Sequence, residues 1–144
     1  DEAVTRIPLQ VSQRCVVGSI QVDLREDVLR QFRTDLLEIL HASGAKGVIL
    51  DLGGVDVMDL EEFEALRQTL AMASLMGAHT ILAGLRPGVA SALVELDAPV
   101  EDIHAALDLD RAFEQMQKVL SEEEEIGEHG FEEETIAETD SCQE

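Results

Sequence analysis

The sequence predicts an α/β fold: one domain with a mixed β-sheet and helices packed against it. Three observations carry that prediction. Short β-branched runs alternate with longer segments of helical apolar spacing. The alternation recurs at roughly 30-residue intervals, as in βαβ units. Two strand-like runs stand next to each other at the N-terminus, with no helical pattern between them, so that part of the sheet is antiparallel.

The elements follow in order. Ile7 to Val11 reads as a strand, Ser12-Gln13 as a turn and Cys15 to Val22 as the second strand of a hairpin. Asp23 is placed to cap a helix over Leu24–His41, whose Val28, Leu29, Phe32, Leu36, Leu37 and Leu40 share a face and which Ser43-Gly44 stops. Val48, Ile49, Leu50 and Leu52, between Gly47 and Gly53-Gly54, have the near-continuous apolar character of a strand buried on both faces. Asp59 then caps a second helix, with Glu61, Glu62 and Glu64 in its first turn and Leu60, Phe63, Leu66, Leu70, Ala73 and Met76 at helical spacing. Gly77-Ala78 ends it before a strand over Thr80–Ala83. Pro87 suits the first turn of a helix reaching Leu96, and Val100 to His104 reads as an edge strand. Asp108 or Asp110 starts a last helix through Leu109, Ala112, Phe113, Met116 and Leu120. The domain therefore spans residues 1–120. Residues 121–144 carry 11 acidic residues and no Lys or Arg, and too little apolar surface to pack, the pattern of a disordered acidic tail.

Composition narrows function. Of 144 residues 45% are hydrophobic but only 3% aromatic, so aliphatic side chains fill the core. The net charge is −21; residues 1–120 hold 20 acidic against 10 basic residues, a net of −10. Such a surface argues against nucleic acid or an anionic membrane as partner. No apolar run approaches the roughly 18 residues of a membrane span, and no signal-peptide pattern stands at the N-terminus. Cys15 and Cys142 form no disulfide framework, so a cytoplasmic protein is expected.

Catalytic patterns are missing. His41, His79, His104 and His129 lack metal-ligand spacing, and Gly53-Gly54 is followed by neither GxGxxG nor Lys-Ser/Thr. Asp51, Asp56 and Asp59 gather near one strand-loop-helix corner, where free N–H groups and a helix dipole favour an anion or a partner contact. Cap and turn roles are the plainer account of those acids. Arg86, before Pro87, is a candidate anion contact. No catalytic residue, metal site or cofactor is expected.

The order IPLQV, CVVGSIQV, a long helix, GAKGVILDLGGVDVMD, a helix, SLMGAHTILAGLRPGVASALVEL and LDLDRAF resembles the STAS (anti-anti-sigma) family, over about residues 7–120. Within it the chain is most similar to the stand-alone scaffold type of bacterial stressosomes, the RsbS type. The resemblance implies a non-enzymatic regulator that builds large cytoplasmic homo- or hetero-oligomers with sensor STAS paralogues (RsbR type). Such assemblies hold a serine/threonine kinase (RsbT type) until phosphorylation releases it. It also implies that Asp56, Asp59, Leu60, Glu61 and Glu62 form the switch corner. In the RsbS type a phosphorylated serine directly follows the second Asp; here that position is Leu60, which has no hydroxyl. Thr69 and Ser74, further along the helix, are poor substitutes because both read as helix-interior residues. The alternative from another class is a small-molecule- or anion-binding STAS module. A concave site beside Asp59 rather than a flat face would favour it.

Overall fold

The computed structural model describes residues 6–100 and 103–125. Strand β1 (Leu9–Ser12) and strand β2 (Cys15–Ser19) form the antiparallel hairpin. Helix α1 (Glu26–Ser43) leads to strand β3 (Gly47–Asp51), helix α2 (Leu60–Leu75) to strand β4 (His79–Ala83), and helix α3 (Pro87–Glu95) to strand β5 (Ala105–Ala106). A last helix, α4, covers 109–125. The sheet order is β1-β2-β3-β4-β5, with every pair after the hairpin parallel. The mixed sheet expected from the sequence is what forms.

Two apolar layers sandwich this sheet. On one face Val16, Ile20, Val48, Leu50 and Leu82 pack against α1, α2 and α3 through Phe32, Leu36, Phe63, Leu66, Val89 and Leu93. On the other, Cys15, Val17, Ile49, Ile81 and Ala83 pack against Ala112, Met116 and Leu120 of α4. Alternate residues of β2 and β3 thus serve opposite layers, which is why those strands read as unbroken apolar runs.

Besides small shifts at the strand ends (β1 begins at Leu9 and β2 stops at Ser19 rather than Val22), four departures from the sequence reading have a physical reason. The hairpin turns at Gln13 and Arg14, both at positive φ (52° and 68°). A two-residue turn with two left-handed residues matches strand twist, so tertiary pairing imposes it without the usual Asn or Gly. Helix α1 starts after Arg25, not at Asp23: Arg25 makes no side-chain cap, and Asp27 Oδ1 instead accepts from Val28 N at 2.9 Å. Strand β5 falls at Ala105–Ala106 rather than Val100–His104. There the edge of β4 dictates pairing, with Leu82 N donating to His104 O and Gly84 N to Ala106 O, while Val100 is exposed. Finally, α4 runs five residues past Leu120, into the acidic segment. Glu123 pairs with His79 at 2.8 Å, Glu124 pairs with Arg14, and Gln117 Nε2 donates to Gln13 O at 2.9 Å. The remainder of the expected disordered tail, 126–144, lies outside the described residues, as does Cys142.

Candidate functional site

The corner between β3 and α2 is built from backbone outward. Asp51 ends β3 and its Oδ1 accepts from Gly53 N at 2.9 Å, turning the chain at Gly53-Gly54. Gly54 has to be glycine, since a Cβ there would stand 2.9 Å from Gln21 Cγ and 3.0 Å from Ile20 O. Val55 N then donates to Leu52 O at 3.0 Å. Val55 and Met58 are buried anchors, whereas Asp56, Val57, Asp59 and Leu60 point to solvent. Val57 is 79% exposed and Leu60 41%, so the first residue of α2 does not join the core face that its spacing suggested.

Asp59 caps α2 as expected, and the cap is reciprocal. Glu62 N donates to Asp59 Oδ1 at 2.7 Å, and Asp59 N donates to Glu62 Oε1 at 2.9 Å, a capping box. These carboxylates already engage donors that an external anion would use at this helix start. Glu61, between them, is exposed. One turn on, the Arg67 guanidinium beside Glu64 holds that carboxyl below its usual range.

Arg86 belongs to this corner, although it lies on the turn between β4 and α3. Its Nε donates to Gly53 O at 3.0 Å and its Nη1 pairs with Asp56 Oδ1. The anion it contacts is therefore the chain's own. Of the two hydroxyls considered as substitutes for a serine at position 60, Thr69 is only 4% exposed and Ser74 lies on the exposed side of α2. One feature that sequence reasoning missed is a cleft of about 440 Å³ between α1 and α2, beside Asp59. Arg30 and Arg33 line it on the α1 side and Glu61 and Glu62 on the α2 side, over Leu29 and Thr69. Only the pairing of two helices distant in sequence brings those residues together. Among the described residues no group of His, Cys, Asp or Glu is arranged to hold a metal ion, and no helix is long and apolar enough to cross a membrane.

With this geometry in place, the chain can be set beside known proteins. The STAS-domain family model matches residues 6–119, and the chain belongs to that family. A comparison with curated protein sequences gives no match. Among solved structures, a serine-to-glutamate variant of RsbS from Moorella thermoacetica shares the fold at a TM-score of 0.71 and 24% identity, over 81% of this chain and 99% of that one. A chain of the stressosome, described as a signal integration and transduction hub, aligns at a TM-score of 0.69 and 24% identity, over 78% and 98% of the two chains. The phosphorylated form of SpoIIAA, a Bacillus cell fate determinant, aligns at 0.56 and 14% identity, over 76% and 97%.

Proposed function

We propose that this chain is a non-enzymatic scaffold of a stressosome-type assembly in the bacterial cytoplasm. It co-assembles with sensor STAS paralogues of the RsbR type and holds a serine/threonine kinase of the RsbT type. The observation that carries the reading is the corner itself. Val57 and Leu60 stand exposed on a loop fixed by Val55, Met58 and the Asp59–Glu62 capping box, ringed by Asp56, Asp59, Glu61 and Glu62. An apolar pair on a rigid mount, with charges around it, is what a protein partner grips. The similarity in fold to RsbS and to a stressosome chain supports the same reading.

Leu60 gives the corner its particular character. By the family resemblance, it occupies the place of a phosphorylated serine. A phosphoserine would bring a charge of about −1.5 to −2 to the start of the helix. Fixed carboxylates already surround that turn, so the corner partly imitates the phosphorylated state and weakens kinase capture. The simpler account is a degenerate paralogue with ordinary first-turn glutamates. The test is a pull-down and phosphorylation assay with the kinase on the native protein, on Leu60→Ser, and on Glu61→Gln combined with Glu62→Gln. Gln keeps the capping geometry at position 62. Imitation gives phosphate on Leu60→Ser alone and tighter kinase binding after neutralisation; unchanged binding leaves the degenerate-paralogue account. Light scattering of the protein mixed with a sensor paralogue tests assembly, and elution only as small separate species would defeat the scaffold reading.

The cleft beside Asp59 favours a second reading, the small-molecule- or anion-binding module. Calorimetry with inorganic phosphate and with a nucleotide, on native protein and on Arg30→Gln with Arg33→Gln, decides it: heat lost in the variant supports the module.

A further inference from the structure

We infer that Arg86 is a positioning residue for the partner-facing corner, a clamp that makes the loops after β3 and β4 a single rigid surface. This rests on the reading of the corner as the partner site. The clamp is held at both ends. On its own side, Pro87 keeps Arg86 extended (φ −71°, ψ 147°), because the residue before a proline is driven out of the helical region. Gly84, at φ +73°, sets the turn so close to β3 that a Cβ there would lie 3.2 Å from Asp51 Oδ1. Arg86 caps no N–H of α3 with its side chain, which is left free to reach across.

On the far side, the guanidinium grips two points of the corner loop on either side of the Gly54 turn: the Gly53 carbonyl and the Asp56 carboxylate. Asp51 holds the same turn from below through Gly53 N. The loop from Gly53 to Asp59 is thus fixed at Asp51, at Arg86 and at the Asp59–Glu62 box. Val57 projects from the short stretch between the Asp56 and Asp59 ties, and Leu60 from within the capping box itself. Arginine is required by geometry as well as charge. Its planar fork serves a carbonyl and a carboxylate at once, whereas an ammonium on a flexible stem has no such fixed pair of donors.

Arg86 and Asp56 are both exposed, so the clamp adds little to global stability and acts on local order. Hydrogen exchange of the full chain, read by mass spectrometry over residues 53–59, tests it in native protein, Arg86→Gln and Arg86→Lys. Both variants are expected to exchange about fivefold faster in that loop, the loss of roughly one hydrogen-bonded pair. The centre of α2 should exchange as in the native protein, Tm should stay within about 2 °C, and a captured RsbT-type kinase should dissociate faster. Loop exchange within twofold of native in Arg86→Gln, or full rescue by Arg86→Lys, overturns the clamp. Faster loop exchange in a protein whose native form captures no kinase upholds the clamp and removes the kinase reading instead.

Discussion

The two ends of the sheet use acidic residues in opposite ways. At the C-terminal ends of the parallel strands, Asp59 and Glu62 sit at the start of α2, where the helix dipole welcomes negative charge and backbone N–H groups engage both carboxylates. At the N-terminal ends, Glu123 and Glu124 lie on the last described turn of α4, where no backbone N–H of the described residues donates to their carboxylates. They are balanced from outside their helix, by His79 at the start of β4 and by Arg14 in the hairpin turn. One end is stabilised by its own local sequence. The other depends on docking of a helix, and the depth of that docking lies in Met116, not in the charges.

The strongest way to break this contrast is Met116→Ala. Met116 is fully buried beneath the sheet and close to Gly47, whose Cβ, if it had one, would meet the sulfur at 2.7 Å. A loss of about 2–5 kcal/mol is expected in chemical denaturation, from lost transfer energy plus a cavity. The salt dependence contributed by the Arg14–Glu124 pair should vanish with it. A loss below about 1 kcal/mol would mean that α4 is held by its charges.

The contrast sharpens when the two sets of acids are neutralised separately. Asp59→Ala removes a cap and should cost about 1 kcal/mol in urea titrations. Glu123→Gln with Glu124→Gln, at exposed pairs, should cost less than about 1 kcal/mol and lose its effect in high salt. The reverse ranking would place the more important acids in the docked helix.

The smallest expected effect is one of pH. Burial pushes the Cys15 thiol up, against a partial opposing pull from Arg14. An acid whose folded pKa is raised contributes stability below its unfolded pKa and loses it as pH rises past the ordinary thiol range, about 8.5. The Tm gap between native protein and Cys15→Ala should therefore shift against the native protein between neutral and alkaline pH. A constant gap would show that the thiol ionises equally in both states.

Much of the fold was legible because local signals agreed with the global arrangement. The runs of β2 and β3 are apolar on both faces because both faces are covered, and Asp59 and Pro87 mark helix starts that local chemistry alone decides. What escaped was set by partners distant in sequence. Ala105-Ala106 becomes a strand only because β4 offers an edge, and Gln13-Arg14 becomes a turn only because β1 and β2 pair. Glu122 to Glu125 read as a solvated tail because the side chains that meet two of them, Arg14 and His79, come from the hairpin and from β4. In the candidate site the same division holds. The Asp59 cap could be read from its neighbours, whereas the reach of Arg86 to Gly53 and Asp56 and the α1–α2 cleft required the fold.

The sheet order, in which each strand lies beside the one made just before it, bears on how the chain is born. Every strand after β1 finds its partner already synthesised, so pairing can keep pace with the ribosome, and no early strand waits for a late one to fit between its neighbours. Only α4 comes late. Until residues 109–125 emerge, the face carrying Cys15, Val17, Ile49, Ile81 and Ala83 stands open to water. For that interval the nascent domain is half closed and sticky, the moment at which a chaperone or a neighbouring copy would find it.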